Sequence, residues 1–296
     1  MSNTISAQPA PGVVSKYLSL VKFSHTIFAM PFALIGFSLA VLRERQTFKW
    51  HLLALMLLCM VFARSAAMAF NRYLDRRYDA LNPRTAMREV PAGVIKPRHA
   101  LVFTMLNCIL FVTCTWFINR ICFYLSPVAL FVVLFYSYTK RFTALCHIVL
   151  GLGLSLAPIG AYLSVTGYFH WLPLLFSFAV ITWVSGFDII YAMQDEDFDR
   201  NQKLHSIPAA LGQKGALAVS TILHFFSALF VVAAGFLGGF GWLYWVGVGV
   251  FSGMLLYQHQ LVKPNDLSKV NIAFMTANGI ASIVFAAFAI LDLLLL

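Results

Sequence analysis

The sequence predicts an all-helical membrane protein, a polytopic bundle of about nine transmembrane helices with its site on the cytoplasmic side. Composition is the first reason: 60% of the 296 residues are hydrophobic, 11% are charged, and mean hydropathy is +0.81. Such values exclude an ordinary soluble domain. Apolar runs long enough to cross a bilayer also recur along the chain, and most lysines and arginines occupy the short loops between them.

Net charge and cysteine content narrow the class further. The formal charge of +10 comes mainly from loops beside apolar runs, which is typical of a protein that contacts a lipid bilayer, and we expect no nucleic-acid partner. The cysteines show no CxxC or metal-ligand spacing, so we interpret them as small buried hydrophobic residues. They are Cys59, Cys108, Cys114, Cys122 and Cys146.

The chain is expected to form a flexible cytoplasmic tail over residues 1–15 and a single transmembrane domain over 16–296. The tail is rich in Ser, Pro, Ala and Gly and lacks the features of a cleaved signal peptide. A helix should start near Lys16 and run into the first span, with a bend at Pro31.

Nine apolar runs follow, separated by charged and turn-forming residues. They cover approximately 26–42, 50–70, 100–117, 122–137, 145–165, 171–191, 216–234, 242–257 and 272–294. With a cytoplasmic N-terminus, the positive-inside rule is satisfied because few basic residues lie on the far side. These are Arg43, Arg45, Lys49 and Arg120. We therefore predict a multi-pass protein of a bacterial-type inner membrane.

The second run leads into a polar segment, "NRYLDRRYD". Asn71, Asp75 and Asp79 are spaced four residues apart and therefore share one face of a helix. Arg64 lies seven residues before Asn71 on that same face. A charged residue inside an apolar run either has a functional role or pairs with a nearby acid. In both cases its side chain is expected to face away from lipid.

A second acidic segment, "DIIYAMQDEDFD", ends the sixth run. Asp188, Asp195 and Asp199 would share one face if the helix continues through them. Both acidic segments fall on the same side of the membrane in the predicted topology. The sequence thus predicts one shared acidic site at the cytoplasmic surface.

Basic residues accompany both acidic segments. Arg84 and Arg88 follow the first one in a loop, and the fourth run ends in "YSYTKR", which places Tyr136 and Lys140 on one helical face. Lys22 precedes the first span. A solvated loop or interfacial anchoring would also explain these residues, and Lys22 fits a snorkelling lysine equally well. Binding of an anion is the functional alternative.

Carboxylates that converge in a membrane protein repel one another unless a cation neutralises them. Oxygen ligands with one amide suit Mg²⁺, which commonly bridges carboxylates to phosphate oxygens. A diphosphate held by the metal and the basic loops, with an apolar tail among the helices, meets these requirements together. A polyprenyl diphosphate is such a ligand, and loss of its diphosphate would leave an allylic cation for an electron-rich acceptor.

The two acidic segments resemble the aspartate-rich signatures of the UbiA-type intramembrane aromatic prenyltransferases, and "YSYTK" is similar to the YxxxK element of that superfamily. The resemblance implies contacts with Mg²⁺-bound diphosphate from Asn71, Asp75, Asp79, Asp195 and Asp199. It implies contacts with diphosphate or substrate from Lys22, Arg64, Arg84, Arg88, Tyr136 and Lys140. Asp188 matches an aspartate near the acceptor, and we assign catalysis to Asp188, Lys140 and Tyr136.

The resemblance is closest to the 4-hydroxybenzoate polyprenyltransferase-like branch, on the phrases "FSHTIFAMPFALIG" and "NPRTAMREVPAG". The implied reaction is prenyl transfer to a small aromatic acceptor, either 4-hydroxybenzoate or a dihydroxynaphthoate, in ubiquinone or menaquinone biosynthesis. One departure is visible, because Arg72 stands where many members have aspartate.

Two other classes also place acids inside membrane helices. A transporter of an ion or anion would place them near the bilayer midplane, whereas these gather at one membrane face. A phosphatidyl transferase of the CDP-alcohol type also uses aspartates and Mg²⁺, but its Gly-rich stretch is missing from "NRYLDRRYD".

Overall fold

The computed structural model describes residues 12–22 and 28–296, and these ranges contain helices joined by short connections. The greater part of the predicted tail and the start of the first predicted span lie outside the described residues. The helices are α1 (Val13–Leu20), α2 (Met30–Ser38), α3 (Trp50–Leu81), α4 (Pro97–Ile118), α5 (Arg120–Thr139), α6 (Cys146–Thr166), α7 (Trp171–Ala192), α8 (Glu196–Asn201), α9 (Ile207–Gly238), α10 (Trp242–Leu261) and α11 (Asn278–Leu295).

Each predicted apolar run coincides with a helix in the described part of the chain, and the all-helical bundle is confirmed. Seven helices are long and apolar enough to cross a membrane. They are Trp50–Leu81, Pro97–Ile118, Arg120–Thr139, Cys146–Thr166, Trp171–Asn201, Ile207–Gly238 and Ile272–Leu295. The first run forms a shorter apolar helix, Met30–Arg43, and the eighth forms α10, whose last turns contain Gln258 and His259.

The start of the bundle differs from the prediction. The helix near Lys16 ends at Leu20, and Lys22 has a left-handed backbone with φ +47°, so no continuous helix runs into the first span. Pro31 lies in the first turn of α2 and produces no bend there. Proline is tolerated at that position because the N–H groups of a first turn have no partner within the helix.

The interior of the bundle is built around α7. In the most apolar 18-residue stretch of the span that contains α7, 61% of the residues are buried. The corresponding share for α5 is 11%, and α5 therefore lies at the lipid-facing periphery. Large aromatic side chains from different helices meet without solvent exposure, and the pair Phe32 and Trp183 has ring centroids 5.4 Å apart. Close aromatic packing of this kind holds membrane helices together where lipid offers no hydrophobic driving force.

Small residues in α2 and α6 allow neighbouring helices to approach closely. A Cβ on Gly36 of α2 would lie 2.0 Å from the carbonyl oxygen of Pro158, and one on Gly151 would lie 2.5 Å from the carbonyl oxygen of Ile181 in α7. Gly153 and Gly160 instead face a cavity. The small residues of α6 therefore serve helix packing at some positions and leave open space at others.

Candidate active site

A cavity of about 620 Å³ lies among α3, α5, α6 and α7, beneath the loop that joins α3 to α4. Every predicted site residue except Asp199 lines it. These residues are Lys22, Arg64, Asn71, Asp75, Asp79, Arg84, Arg88, Tyr136, Lys140, Asp188 and Asp195. The structure thus brings both acidic segments and the basic residues around them into one space.

The acidic face of α3 is as predicted, because α3 extends to Leu81 and carries the whole polar segment. Asn71 Nδ2 donates to Asp75 Oδ2 at 2.8 Å. Arg141 donates to Asp75 Oδ1 at 2.7 Å, and Arg88 donates to Asp79 Oδ1 at 2.7 Å. The buried Oδ2 of Asp79 has no hydrogen-bond partner in the described part of the chain.

The second acidic segment meets the loop after α3 at Asp195. Arg84 binds this carboxylate through two nitrogens, with Nε 2.9 Å from Oδ1 and Nη2 on Oδ2. Asn82 Nδ2 also donates to Oδ1 at 2.9 Å, and Arg84 Nη1 donates to the Tyr191 hydroxyl at 3.1 Å. Burial alone would lower the pKa of Arg84, but the Asp195 carboxylate outweighs it and the pKa is raised above its ordinary value.

Asp199 does not line the cavity, because the helix does not continue regularly. Residues Met193–Asp195 form a 3₁₀ turn between α7 and α8, and this tighter turn rotates the following residues away from the face of Asp188. Asp199 is fully buried, accepts from Ser206 at 2.9 Å and pairs with Lys140 at 2.7 Å. It reaches the cavity only through that lysine.

Lys140 is held at the end of α5 between Asp199 and the cavity. Burial acts to lower the pKa of Lys140, but the charge of Asp199 and its hydrogen bond raise it on balance. The lysine therefore stays charged at neutral pH, as a phosphate ligand must.

Asp188 is joined to a histidine that the sequence reasoning did not select. His147 Nδ1 lies 2.7 Å from Asp188 Oδ2, and both residues line the cavity. The backbone N–H of Ile207 donates to His147 Nε2 at 3.4 Å. Because a backbone N–H can only donate, Nε2 is the acceptor, and the ring proton on Nδ1 points at Asp188.

Arg64 and Arg72 differ from the other cavity arginines. Among the described residues neither makes a hydrogen bond or ion pair, and the Nε of each is buried without a partner. Tyr136 lines the same wall region of the cavity. Two guanidinium groups therefore remain available for an anion that enters from outside.

A second cavity of about 360 Å³ adjoins the first and is lined mainly by apolar side chains of α3, α4, α5 and α6. Both cavities share Arg64, Met68, Tyr136 and Leu154 in their walls. The charged space thus opens directly into an apolar one, which suits a ligand with an anionic head and a hydrocarbon tail.

The chemistry of the donors fits Mg²⁺, since carboxylate and amide oxygens are its preferred protein ligands. In the described ranges, however, no three His, Cys, Asp or Glu side chains lie close enough together to enclose a metal ion. Four acids of the site are paired with a cation instead, namely Asp75, Asp79, Asp195 and Asp199. The free Oδ2 of Asp79 is the donor already poised for a metal.

Several polar residues of the cavity wall were not among the predicted ones. They include Arg72, Asn82, Arg141 and His147. Arg141 directly follows the YxxxK element and Asn82 precedes Arg84 in "NPRT", so proximity to a motif was an available signal for both. His147 carried no such signal, because a histidine at the start of an apolar helix is more often structural.

Comparison with known proteins gives a consistent result. The model of the UbiA prenyltransferase family matches residues 29–280. The 4-hydroxybenzoate octaprenyltransferase of Tolumonas auensis is 30% identical over 223 residues, which cover 75% of this chain and 78% of that protein. The enzyme of the same name from Nitrosospira multiformis is 30% identical over 236 residues, with 79% and 81% covered.

Solved structures show the same architecture. The apo structure of a UbiA homolog from Aeropyrum pernix K1 is 33% identical, with a TM-score of 0.81, over 90% of this chain and 98% of that one. A UbiA homolog from Archaeoglobus fulgidus bound to GPP and Mg²⁺ shares the fold at 20% identity and a TM-score of 0.73, over 94% and 99% of the two chains.

Proposed function

Since the chain belongs to the UbiA prenyltransferase family, we propose that it transfers a polyprenyl group from polyprenyl diphosphate to an aromatic acceptor such as 4-hydroxybenzoate and releases diphosphate. The reaction is Mg²⁺-dependent and yields a precursor of ubiquinone or menaquinone. A dihydroxynaphthoate is the alternative acceptor. The family match argues against the transporter alternative.

The observation that carries this proposal is the junction of the two cavities. The charged cavity contains oxygen ligands and cations for a diphosphate, and the apolar cavity that opens from it accommodates a hydrocarbon chain. Arg64 and Tyr136 lie in the walls of both, so the bond between the prenyl carbon and the diphosphate would lie beside them. Exclusion of bulk water from that position during the reaction would keep water from competing with the acceptor.

The donor half of the site is formed by the two acidic segments. Asn71, Asp75, Asp79 and Asp195 would hold Mg²⁺, and Asp199 would join them if Lys140 turns toward the diphosphate. Bound Mg²⁺ supplies Lewis-acid stabilisation of the leaving diphosphate. The cations that now neutralise the acids would transfer to phosphate oxygens when the metal enters. Those cations are Arg84, Arg88, Lys140 and Arg141, and Lys22 lies at the cavity mouth.

The acceptor half is formed by Asp188, with His147 as its orienting partner. The donor's carbon–oxygen bond breaks with its electron pair going to diphosphate, and a ring carbon of the acceptor forms the new carbon–carbon bond. The ring then loses a proton. Asp188 is placed to accept hydrogen bonds from the acceptor's hydroxyl group and to take up that proton, while His147 fixes the carboxylate through the 2.7 Å contact.

Residues 16–296 act as one transmembrane domain in this proposal, preceded by a tail over residues 1–15. The N-terminus and the charged cavity face the cytoplasm of a bacterial-type cell, where soluble acceptors and Mg²⁺ are present. The apolar cavity lies within the bilayer, where the polyprenyl chain of the donor partitions.

Prenyl transfer in detergent, with Mg²⁺ present or chelated, tests the proposal. Radiolabelled polyprenyl diphosphate is offered with 4-hydroxybenzoate or with 1,4-dihydroxy-2-naphthoate. We expect metal-dependent labelling of one acceptor, reduced by at least about 10²-fold in Asp75→Ala and Asp195→Ala, because each removes charge that stabilises the leaving group.

The matched control is Asp266→Ala, which removes an exposed acid in the connection between α10 and α11 and should leave transfer unchanged. If the folded protein binds the diphosphate but labels neither compound, both proposed acceptors are wrong. Loss of Mg²⁺-dependent diphosphate binding would contradict the proposed function as a whole.

A further inference from the structure

Tyr191 lines the charged cavity and has no role in the reaction as described so far. It lies in the last turn of α7, four residues before Asp195. Its hydroxyl group accepts a hydrogen bond from Arg84 Nη1 at 3.1 Å, and the guanidinium carbon of Arg84 lies over the ring, 5.2 Å from its centre. Tyr191 therefore holds this arginine in two ways, through the hydroxyl group and through the face of the ring.

Arg84 has few other restraints. It belongs to the connection between α3 and α4, and its side chain is 30% exposed. In the part of the chain that the structure describes, its guanidinium group has two partners, Asp195 and Tyr191. Asp195 is also a proposed ligand of Mg²⁺, and a carboxylate that binds a metal no longer holds the arginine through both oxygens. Tyr191 is the partner that remains, and without it the long side chain would gain conformational entropy by extending into solvent.

Tyr191 is itself supported from behind by Phe274. The two ring centroids are 4.2 Å apart, with an angle of 31° between the planes. Phe274 is 9% exposed and lies in a π-helical turn, Ile272–Ala277, a kind of turn that often occurs at functional sites. Asn278 Nδ2 donates to the carbonyl oxygens of Ala273 and Phe274 at 3.1 and 3.0 Å. The turn that carries Phe274 is therefore fixed by a side chain as well as by its backbone.

Asn278 is in turn held by two other helices. Its Oδ1 accepts from Trp183 Nε1 of α7 and from Gln258 Nε2 of α10, both at 2.8 Å. All three side chains are fully buried. Hydrogen bonds in such an interior rigidify the structure around them. Tyr191 thus rests on a support that does not depend on Asp195 or on the connection that carries Arg84.

We propose that Tyr191 is a positioning residue, which keeps the guanidinium group of Arg84 inside the cavity once Asp195 binds the metal, so that Arg84 contacts the diphosphate of the donor. This inference rests on the proposed function and deepens it. Tyr191 uses one of the five N–H groups of the guanidinium. The edge formed by Nε and Nη2, which now holds Asp195, is then free to bind two phosphate oxygens.

The test is a double-mutant cycle. Tyr191→Phe removes the hydroxyl group and keeps the ring, whereas Tyr191→Leu removes both contacts. Each is compared with Arg84→Gln, and Tyr191→Phe is also combined with it. Tyr73→Phe and Tyr73→Leu are the matched controls, because the ring of Tyr73 contacts Arg76 at 4.7 Å but Tyr73 lines neither cavity.

We expect Tyr191→Phe to raise the KM of the polyprenyl diphosphate by about tenfold, the usual loss for one hydrogen bond to a charged group. Tyr191→Leu should raise it further, and the KM of the aromatic acceptor should stay within about twofold in both variants. In a protein that already carries Arg84→Gln, Tyr191→Phe should change the donor KM by less than about twofold, because the residue through which Tyr191 acts is missing.

A binding measurement without turnover gives a second readout. In equilibrium dialysis with radiolabelled inorganic diphosphate and Mg²⁺, wild-type protein and the Tyr73 variants should bind alike, and Tyr191→Phe should bind about tenfold more weakly, as expected for the same lost hydrogen bond.

Independent, additive losses in the double variant would indicate a structural role for Tyr191 and overturn the inference. A raised KM for the acceptor alone would assign Tyr191 to the acceptor and overturn it as well. If wild-type protein transfers prenyl groups and Tyr191→Phe does so equally well, this inference fails and the proposed function stands. If wild-type protein neither binds diphosphate with Mg²⁺ nor modifies an acceptor, the proposed function itself has failed.

Discussion

At the scale of single residues, the site is organised by pairs of opposite charge. Each acid on the donor side contacts an arginine or lysine from another segment, and the pairs Arg84–Asp195 and Lys140–Asp199 join segments far apart in sequence. Such pairs keep buried charges compensated while no substrate is bound. They also hold these cations beside the position where a diphosphate would bind.

Lys140 provides a test at this scale. Lys140→Met should destabilise the folded protein by about 2–3 kcal/mol, because Asp199 is fully buried and would lose its cation. This loss of stability lies near the lower end of the usual range for a broken buried ion pair, because the lysine side chain itself is 34% exposed. The free energy of unfolding in mixed detergent micelles measures the change, and Lys214→Met is the control on an exposed lysine.

Adding Asp199→Asn to Lys140→Met should recover much of this stability without restoring prenyl transfer. The raised pKa of Lys140 sets the pH range of the effect. A raised pKa means that the stabilisation is fully present below the ordinary lysine value and is lost only as pH rises through the higher folded value. Equal stability of wild-type protein and Lys140→Met at pH 7 would contradict this account.

At the scale of the helices, α6 combines two uses of small residues. Gly151 permits contact with α7 at a distance that no Cβ would allow, whereas a Cβ on Gly160 would meet nothing within 4 Å. Gly160 lines the apolar cavity proposed for the prenyl chain. The same helix therefore fixes the bundle at one level and leaves space for a ligand at another.

Gly160→Leu should shorten the chain that the enzyme accepts. The added side chain enters the open cavity, so folding is preserved. We expect kcat/KM for a long polyprenyl diphosphate to fall by about tenfold, which corresponds to the free-energy cost of mild overpacking. Transfer from the shorter geranyl diphosphate should be retained. Gly253→Leu is the control, because a Cβ there also meets nothing within 4 Å but the residue does not line the cavity.

Parallel assays with geranyl diphosphate and an octaprenyl diphosphate give the comparison directly. If both donors lose activity to the same degree in Gly160→Leu, the cavity does not hold the distal part of the chain.

At the scale of the whole molecule, the segments that connect the helices make contacts at two opposite ends of the bundle. One end joins the loop after α3 to the α7–α8 turn through Arg84 and Asp195, and joins Asn265 to Gln213 at 2.8 Å. The other end joins the connection after α2 to α6, where Glu44 accepts from Tyr162 at 3.0 Å. This alternation agrees with helices that cross the membrane in turn.

The orientation of these ends is a prediction from the positive-inside rule. In a variant that lacks the native cysteines, Lys269→Cys should react with a membrane-impermeant maleimide only in inverted vesicles, because the charged end faces the cytoplasm. Arg45→Cys, at the other end, should react only in right-side-out spheroplasts. Labelling of both reporters from one side would contradict the alternating topology, and the reverse pattern would contradict the orientation.

The sequence by itself determined the fold class, the positions of the apolar helices and the acidic face of α3. Hydrophobic run length and the four-residue spacing of Asn71, Asp75 and Asp79 are local properties, and a helix converts them directly into a span and a face. The family could also be inferred, because the motifs that carry it are contiguous segments.

The tertiary structure alone decided which residues meet. The 3₁₀ turn before α8 removed Asp199 from the cavity wall, and no spacing rule reveals such a turn. Likewise, the contact of His147 with Asp188 and the lack of any ion pair at Arg72 depend on how separate helices pack. A side chain's partners come from residues distant in sequence, so burial and pairing emerge only when the bundle has formed.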